Sequence, residues 1–466
     1  MIMGVFGIIL SLGLLMYLAY RGITVLVLAP ILALLAVLMS GEASLLPTYT
    51  EVFMVNLANY LKSYFPLFLL GAIFGKLMDE TGAAKAIAHA IVEKLGKNRS
   101  ILAIVLSCGI LTYGGVSLFV VAFAVYPLAA ALFKETGMPK RLIPACIALG
   151  SFTFTMTALP GTPQIQNAIP IPFFKTDAYA APVLGLIAGI VMFSLGTLWI
   201  QQRAKKMIAA GEGYLPDYMT DETAATVEAG VEAKMPPLGL SLIPIGIVLL
   251  LNFWLSKVYF PGQTEALTPI LEKFGTTPGK VIGIWSIIVS LVISIIFILV
   301  TNYKRINVME AVNKGAYGSM LAILNTASEV GYGNVIAGLA AFAAVKGALL
   351  GIAPGNPLIS EAISVNVLAG ITGSASGGMS IALGALGETY YNLAIAKGIN
   401  PQVLHRIAAL ACGGLDSLPH NGAVITLLGI CGLNHKLSYA DVGMVSVVIP
   451  LATTIVAVIL GTIGIV

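Results

Sequence analysis

Residues 154–173 read FTMTALPGTPQIQNAIPIPF, four prolines and one glycine within a chain that is otherwise strongly apolar. At membrane depth a backbone has no solvent to bond, so a spanning segment must be helical unless protein or a water-filled cavity supplies partners. Pro160, Gly161 and Pro163 deny this stretch one regular helix. A helix broken where breaking costs most points to a site.

The rest of the chain sets the context. Its 466 residues are 58% hydrophobic and 10% charged, with mean hydropathy +0.95. A soluble domain carries about a quarter charged residues, so this composition predicts a polytopic membrane protein. The net charge of +4 implies no nucleic-acid partner. The cysteines Cys108, Cys146, Cys412 and Cys431 stand in apolar runs without metal-ligand spacing, which predicts buried small residues and no metal or other cofactor.

A span needs about 20 mostly apolar residues. Such segments fall at 3–20, 23–40, 52–78, 140–175 (broken), 179–200, 238–256, 280–301, 307–328, 402–433 (broken) and 440–464, and residues 3–20 read as a retained span. Two more apolar regions, 101–133 and 360–387, are interrupted by glycine and serine and read as hairpins. The lysine and arginine clusters after 78, before 140 and after 200 fall on one side, which the positive-inside rule makes cytoplasmic, with both termini outside. The polar loop 201–237, containing DYMTDETAATVEAG, joins two halves.

Those halves carry the same landmarks in the same order. DETGAAKAIA (79–88) matches SEVGYGNVIA (328–337), TYGGVS (112–117) matches ASGGMS (375–380), Pro139 matches Pro401 and Pro160 matches Pro419, at offsets of 249, 263, 262 and 259 residues. The matched Glu80 and Glu329 predict a shared helix-capping job. Each half holds five spans plus one re-entrant hairpin. Five is odd, so the second half enters the membrane inverted. The fold expected is all-α, with two inverted repeats and broken helices meeting at the midplane, the architecture of secondary transporters.

In such a fold half-helix N-termini and glycine-rich tips turn free N–H groups toward an anion. The candidates at the first tip, 112–117, are Thr112, Tyr113, Gly114, Gly115 and Ser117, and at the second tip, 373–380, Ser374, Ser376, Gly377, Gly378 and Ser380. Gly161, Thr162, Gln164 and Asn167 follow the first break, and Asn421 follows the second. Asp416 and His420 flank the second break and are candidates for carrying a proton, ionisable groups at membrane depth being functional by default. Tyr113 and Phe119 would narrow the cavity toward a short acid. Glu388, His405 and Arg406 read as near an interface. A pore would show rings of like groups, and a hydrolytic reading of Asp416, Ser417 and His420 leaves the paired breaks unexplained.

With these motifs placed, the chain resembles the gluconate permease (GntP) family of the ion-transporter superfamily over essentially its whole length. TYGGVSLFV, TALPGTPQIQNAIP and LDSLPHNGAVI carry the resemblance, the first two closer to its D-β-hydroxybutyrate branch. The resemblance implies symport of a small hydroxy-carboxylate across a bacterial inner membrane, proton-driven, by a homodimer with an elevator motion. Residues 1–100 and 238–358 would form the scaffold, and 101–200 and 359–466 the moving transport part. Gluconate transport, or sodium coupling through tip carbonyls, is the alternative. Sodium-coupled dicarboxylate relatives carry Ser-Asn-Thr signatures at their tips; this chain has glycines there.

Overall fold

The computed structural model describes residues 2–21, 23–41, 44–215, 235–353 and 355–466, and among these there is no β-strand. The DYMTDETAATVEAG loop lies outside the described residues, as does the side chain of Phe119.

The first half runs through α1 (Ile2–Tyr20), α2 (Val25–Ser40), a long α3 (Leu45–Glu80), α4 (Ala83–Leu95), a hairpin of α5 (Ser100–Tyr113) and α6 (Leu118–Thr136), α7 (Ile143–Ser151), the broken stretch, and α8 (Pro182–Ala209). The second half repeats that order. It contains α9 (Leu238–Gly262), α10 (Pro278–Asn302), α11 (Val308–Gly338), α12 (Phe342–Gly351), a hairpin of α13 (Pro357–Thr372) and α14 (Ala375–Ala396), α15 (Pro401–Cys412), a second break, α16 (Gly422–Ile430) and α17 (His435–Thr462). Six of these helices are long and apolar enough to cross a membrane, and two bent pairs add to them. The bends fall at different junctions in the two halves: α4 turns by 108° into the first helix of the hairpin, whereas α11, the counterpart of α3, turns by 98° into α12.

Equivalent helices run in opposite directions. A Cβ on Gly315 of α11 would lie 2.7 Å from the Ile73 Cα of α3, and one on Gly331 would lie 2.9 Å from the Phe53 carbonyl. The contact therefore moves down α3 as it moves up α11. The pair α8 and α17 behaves alike: Arg203 meets Asp441 at 2.8 Å while Leu184 meets Gly461 near the other ends. The inversion expected from an odd number of spans is present in the packing.

Two features differ from the sequence expectation. Helix α8 continues through 201–209, so the connector starts later than residue 201. The landmark offsets also tighten. Helices α3 and α11 end at 80 and 338, an offset of 258 (338 − 80), and the residues before the return helices are Ser117 and Ser374, an offset of 257 (374 − 117). On that register Glu80 and Glu329 are not equivalent. Glu80 pairs with Lys76 at 2.8 Å on the surface, whereas Glu329 is buried, so they share no capping job.

The core divides in two. Ile8, Leu28 and Ala33 of α1 and α2 pack with Tyr332 and Ile336 of α11 in one cluster, pinned by Ser11 Oγ and Tyr332 Oη at 2.7 Å. A larger cluster holds the hairpins, α7, α8, α15 and α17.

Candidate functional site

The first break interrupts the chain between the short helices Phe154–Thr157 and Ile165–Ala168. Gly161 sits at φ +85°, a conformation open to glycine, and its N–H donates to the Ala178 carbonyl at 2.8 Å. Asn167 Nδ2 donates to Thr162 O (2.9 Å) and Ala178 O (2.8 Å), and Thr162 is fully buried. The freed backbone groups are thus met by protein, as membrane depth demands. The helix after Pro160 is a single turn, so its dipole supplies little of the positive field expected there.

The first hairpin tip closes on this break. Tyr113 Oη donates to Pro160 O at 2.7 Å, and Gln164 Nε2 donates to Thr112 O at 2.8 Å. Gly115, at φ +97°, makes the turn; a Cβ there would lie 3.0 Å from the Pro163 ring. Gly114 has a different reason to be small, because a side chain would strike Ile245 of α9. Ser117 leads into α6 beside Gly75 of α3. The Thr112 hydroxyl is buried with no partner.

The second tip meets the second break in the same way. Asn421 Nδ2 donates to Gly373 O at 2.9 Å, while its Oδ1 accepts from Val424 N–H at 2.9 Å and caps α16. Gln164 and Asn421 stand 257 residues apart (421 − 164), the same offset as Ser117 and Ser374. The His420 ring lies over Gly373, with Nε2 buried and unpartnered. Asp416 is buried and accepts from Ser417 Oγ at 3.1 Å; it forms no ion pair with His420 among the described residues.

Ser376, Gly377, Gly378 and Ser380 are not at the tip. The turn is Gly373 and Ser374, and these four lie in the first turns of α14. Gly378 packs directly on the Ala369 backbone of α13, so it serves hairpin packing. Gly377 makes room for the Glu329 carboxylate. Ser380 Oγ is buried without a partner.

The two tip–break pairs are joined by α15. Arg406 and His405, expected near an interface, are fully buried. The guanidinium donates to Ala180 O (2.8 Å), Thr157 O (3.3 Å) and Asn167 Oδ1 (3.1 Å), all around the first break. His405 bonds Thr176 Oγ1 through Nδ1 (2.6 Å) and Asn167 Oδ1 through Nε2 (3.2 Å). Arg406 forms no ion pair with a carboxylate among the described residues, and the nearby Asp177 pairs with Lys257 at 2.7 Å, so these three side chains together carry one excess positive charge beside the break. Glu361 of α13, which the sequence reading passed over, is also fully buried with both carboxylate oxygens unpartnered. An ionisable residue within an apolar run was the available signal for both.

The family model of GntP family permeases matches residues 1–460. The chain belongs to the GntP permease family. An uncharacterized transporter of Bacillus subtilis, YxjC, is 45% identical over 451 residues, 95% of each chain. An uncharacterized transporter of Haemophilus influenzae is 26% identical over 38% of this chain and 43% of its own. Two solved structures share the fold. The YdaH transporter of Alcanivorax borkumensis has TM-score 0.59 at 14% identity, covering 91% of this chain and 90% of its own. MtrF of Neisseria gonorrhoeae, described among antimetabolite efflux pumps, has TM-score 0.54 at 15% identity, covering 90% and 84%. This permease is therefore a multi-pass membrane transporter of the secondary class, and its B. subtilis relative points to the bacterial inner membrane.

Proposed function

We propose that this permease is a symporter that imports a small hydroxy-monocarboxylate, D-3-hydroxybutyrate foremost, with protons as the coupling ion. The observation that carries the reading is the pair of amide clamps. Gln164 and Asn421 each tie a hairpin tip to its own break, and each clamp has an unpartnered buried polar atom beside it: Thr112 Oγ1 at one, His420 Nε2 at the other. A hydroxy-acid offers both partners, a hydroxyl for one and a carboxylate for the other. Arg406 lends the positive charge that favours the carboxylate. His420 and Asp416 take the coupling proton, which neutralises the loaded site and lowers the cost of moving it through an apolar barrier. Each tip–break pair moves as one body in an elevator motion, within a homodimer held by the scaffold.

Uptake of labelled 3-hydroxybutyrate into proteoliposomes tests this, under an imposed pH or sodium gradient and with unlabelled gluconate as competitor. Saturable uptake driven by the pH gradient and indifferent to gluconate supports the reading. Transport of gluconate in its place overturns the substrate, and a strict sodium requirement overturns the proton.

A further inference from the structure

Away from the breaks, a second polar centre lies where the long helices meet the second hairpin. Glu329 of α11 is 2% exposed, and its Oε2 has no partner. Its carboxylate occupies the space a side chain at 377 would fill, next to Ser374 at the start of α14. Across from it stands Tyr60 of α3, which faces both Glu329 and Ser380. The Tyr60 hydroxyl and Ser380 Oγ are likewise buried and unpartnered. Beside this group is a cavity of about 310 Å³ lined by Tyr60, Tyr64, Asn56, Asn334, Ser380 and Phe173.

Two orphaned hydroxyls and one orphaned carboxylate oxygen, from three helices, therefore gather at one place. Ser374 reaches the carboxylate and Tyr60 stands within its field, with the Tyr64 ring tilted against Tyr60 at 4.6 Å; no lysine, arginine or histidine among the described residues pairs with it. A bare carboxylate in such a place is strongly disfavoured. One positive charge would satisfy it, and hydroxyl, carboxylate and amide oxygens are the ligands a hard cation takes.

We infer that Glu329, Tyr60 and Ser380 form a site for one small monovalent cation, bound as a proton on the carboxyl or as a sodium ion among the three oxygens, at the boundary between the long helices and the second hairpin. This site is separate from Asp416 and His420. Its existence stands on this geometry alone; a part in coupling rests on the transport reading above. Binding there links α3 and α11 to α14, so occupancy would report on how the hairpin sits against the long helices.

The site is tested on purified full-length protein by thermal unfolding in NaCl against choline chloride at equal ionic strength, and at acid against neutral pH, for the wild type and Glu329→Gln. The wild type is expected to be stabilised by one of the two cations, and the variant to lose that shift. A variant that shifts as the wild type does, or a wild type that answers to neither cation, overturns the site. Tyr60→Phe and Ser380→Ala distinguish the two cations: a bound sodium ion needs several-fold more NaCl in both, whereas a proton response stays within twofold. Should Glu329→Gln fail to fold, Glu329→Asp replaces it, and an unaltered midpoint overturns the site. In proteoliposomes Glu329→Gln is expected to keep exchange of 3-hydroxybutyrate and lose gradient-driven accumulation. Loss of both or of neither overturns the coupling role. A wild type without exchange counts against the substrate reading, and the thermal assay still decides the site.

Discussion

Single side chains hold the site together. Gln164→Ala and Asn421→Ala each remove a donor and leave a buried carbonyl with one bond fewer, a loss of about 1–3 kcal/mol. Each is expected to lower the unfolding temperature and to cut 3-hydroxybutyrate uptake at least tenfold while the protein still inserts; paired unfolding and uptake assays on the same preparation check this. Asn421 also caps α16, so its variant should be the less stable of the two. The adjacent glycines of α14 separate two causes of sensitivity. Gly378→Ala overlaps the α13 backbone and is expected to prevent a monodisperse product in size-exclusion chromatography. Gly377→Ala overlaps side-chain ends alone, the Glu329 carboxylate and Ser374 Oγ, so it should fold and lose the cation response.

Among the elements, α15 matters most to the first break, although it belongs to the second half. Arg406→Lys keeps the charge and loses the planar fork that reaches three acceptors. It is expected to destabilise nearly as much as Arg406→Met, by about 3 kcal/mol, since most of the charge-assisted hydrogen bonds to buried oxygens are lost, measured as a fall in unfolding temperature. The breaks and hairpins were legible in the sequence because proline and glycine interrupt an apolar run, and nothing but a built cavity tolerates that. Gln164 and Asn421 were legible because amides so close to a break need partners. Arg406 and His405 were less so: they show only as ionisable residues in an apolar run, their partners lie 226 to 249 residues away, and the Ala180 and Thr157 carbonyls among them leave no sequence mark. The register of α14 was misplaced because the two glycine pairs look alike. Only the serines just ahead of the return helices, 117 and 374, show that one pair turns the chain and the other lies within a helix.

For the whole molecule, the two clamps and α15 unite the hairpins with the breaks, while α3 and α11 pack along each other beside them. Where the bodies touch, a Cβ on Gly75 of α3 would lie 3.8 Å from the Ser117 Cβ, within the span of a disulfide. Gly75→Cys with Ser117→Cys should cross-link on oxidation, with the four native cysteines buried and silent. Uptake is expected to stop when the link forms and to return on reduction. Full activity in a fully cross-linked sample would rule out sliding of the first hairpin along α3. The position of Arg406 also has a consequence for how the chain is made. The Thr157 and Ala180 carbonyls receive its guanidinium only after more than 200 further residues have been synthesised, since their partner lies 249 and 226 residues downstream. Until then the first half waits in the bilayer with a charge-shaped vacancy at its break. A nascent chain stalled before α15 is therefore an unfinished protein however many of its spans have been inserted, and a natural substrate for membrane quality control.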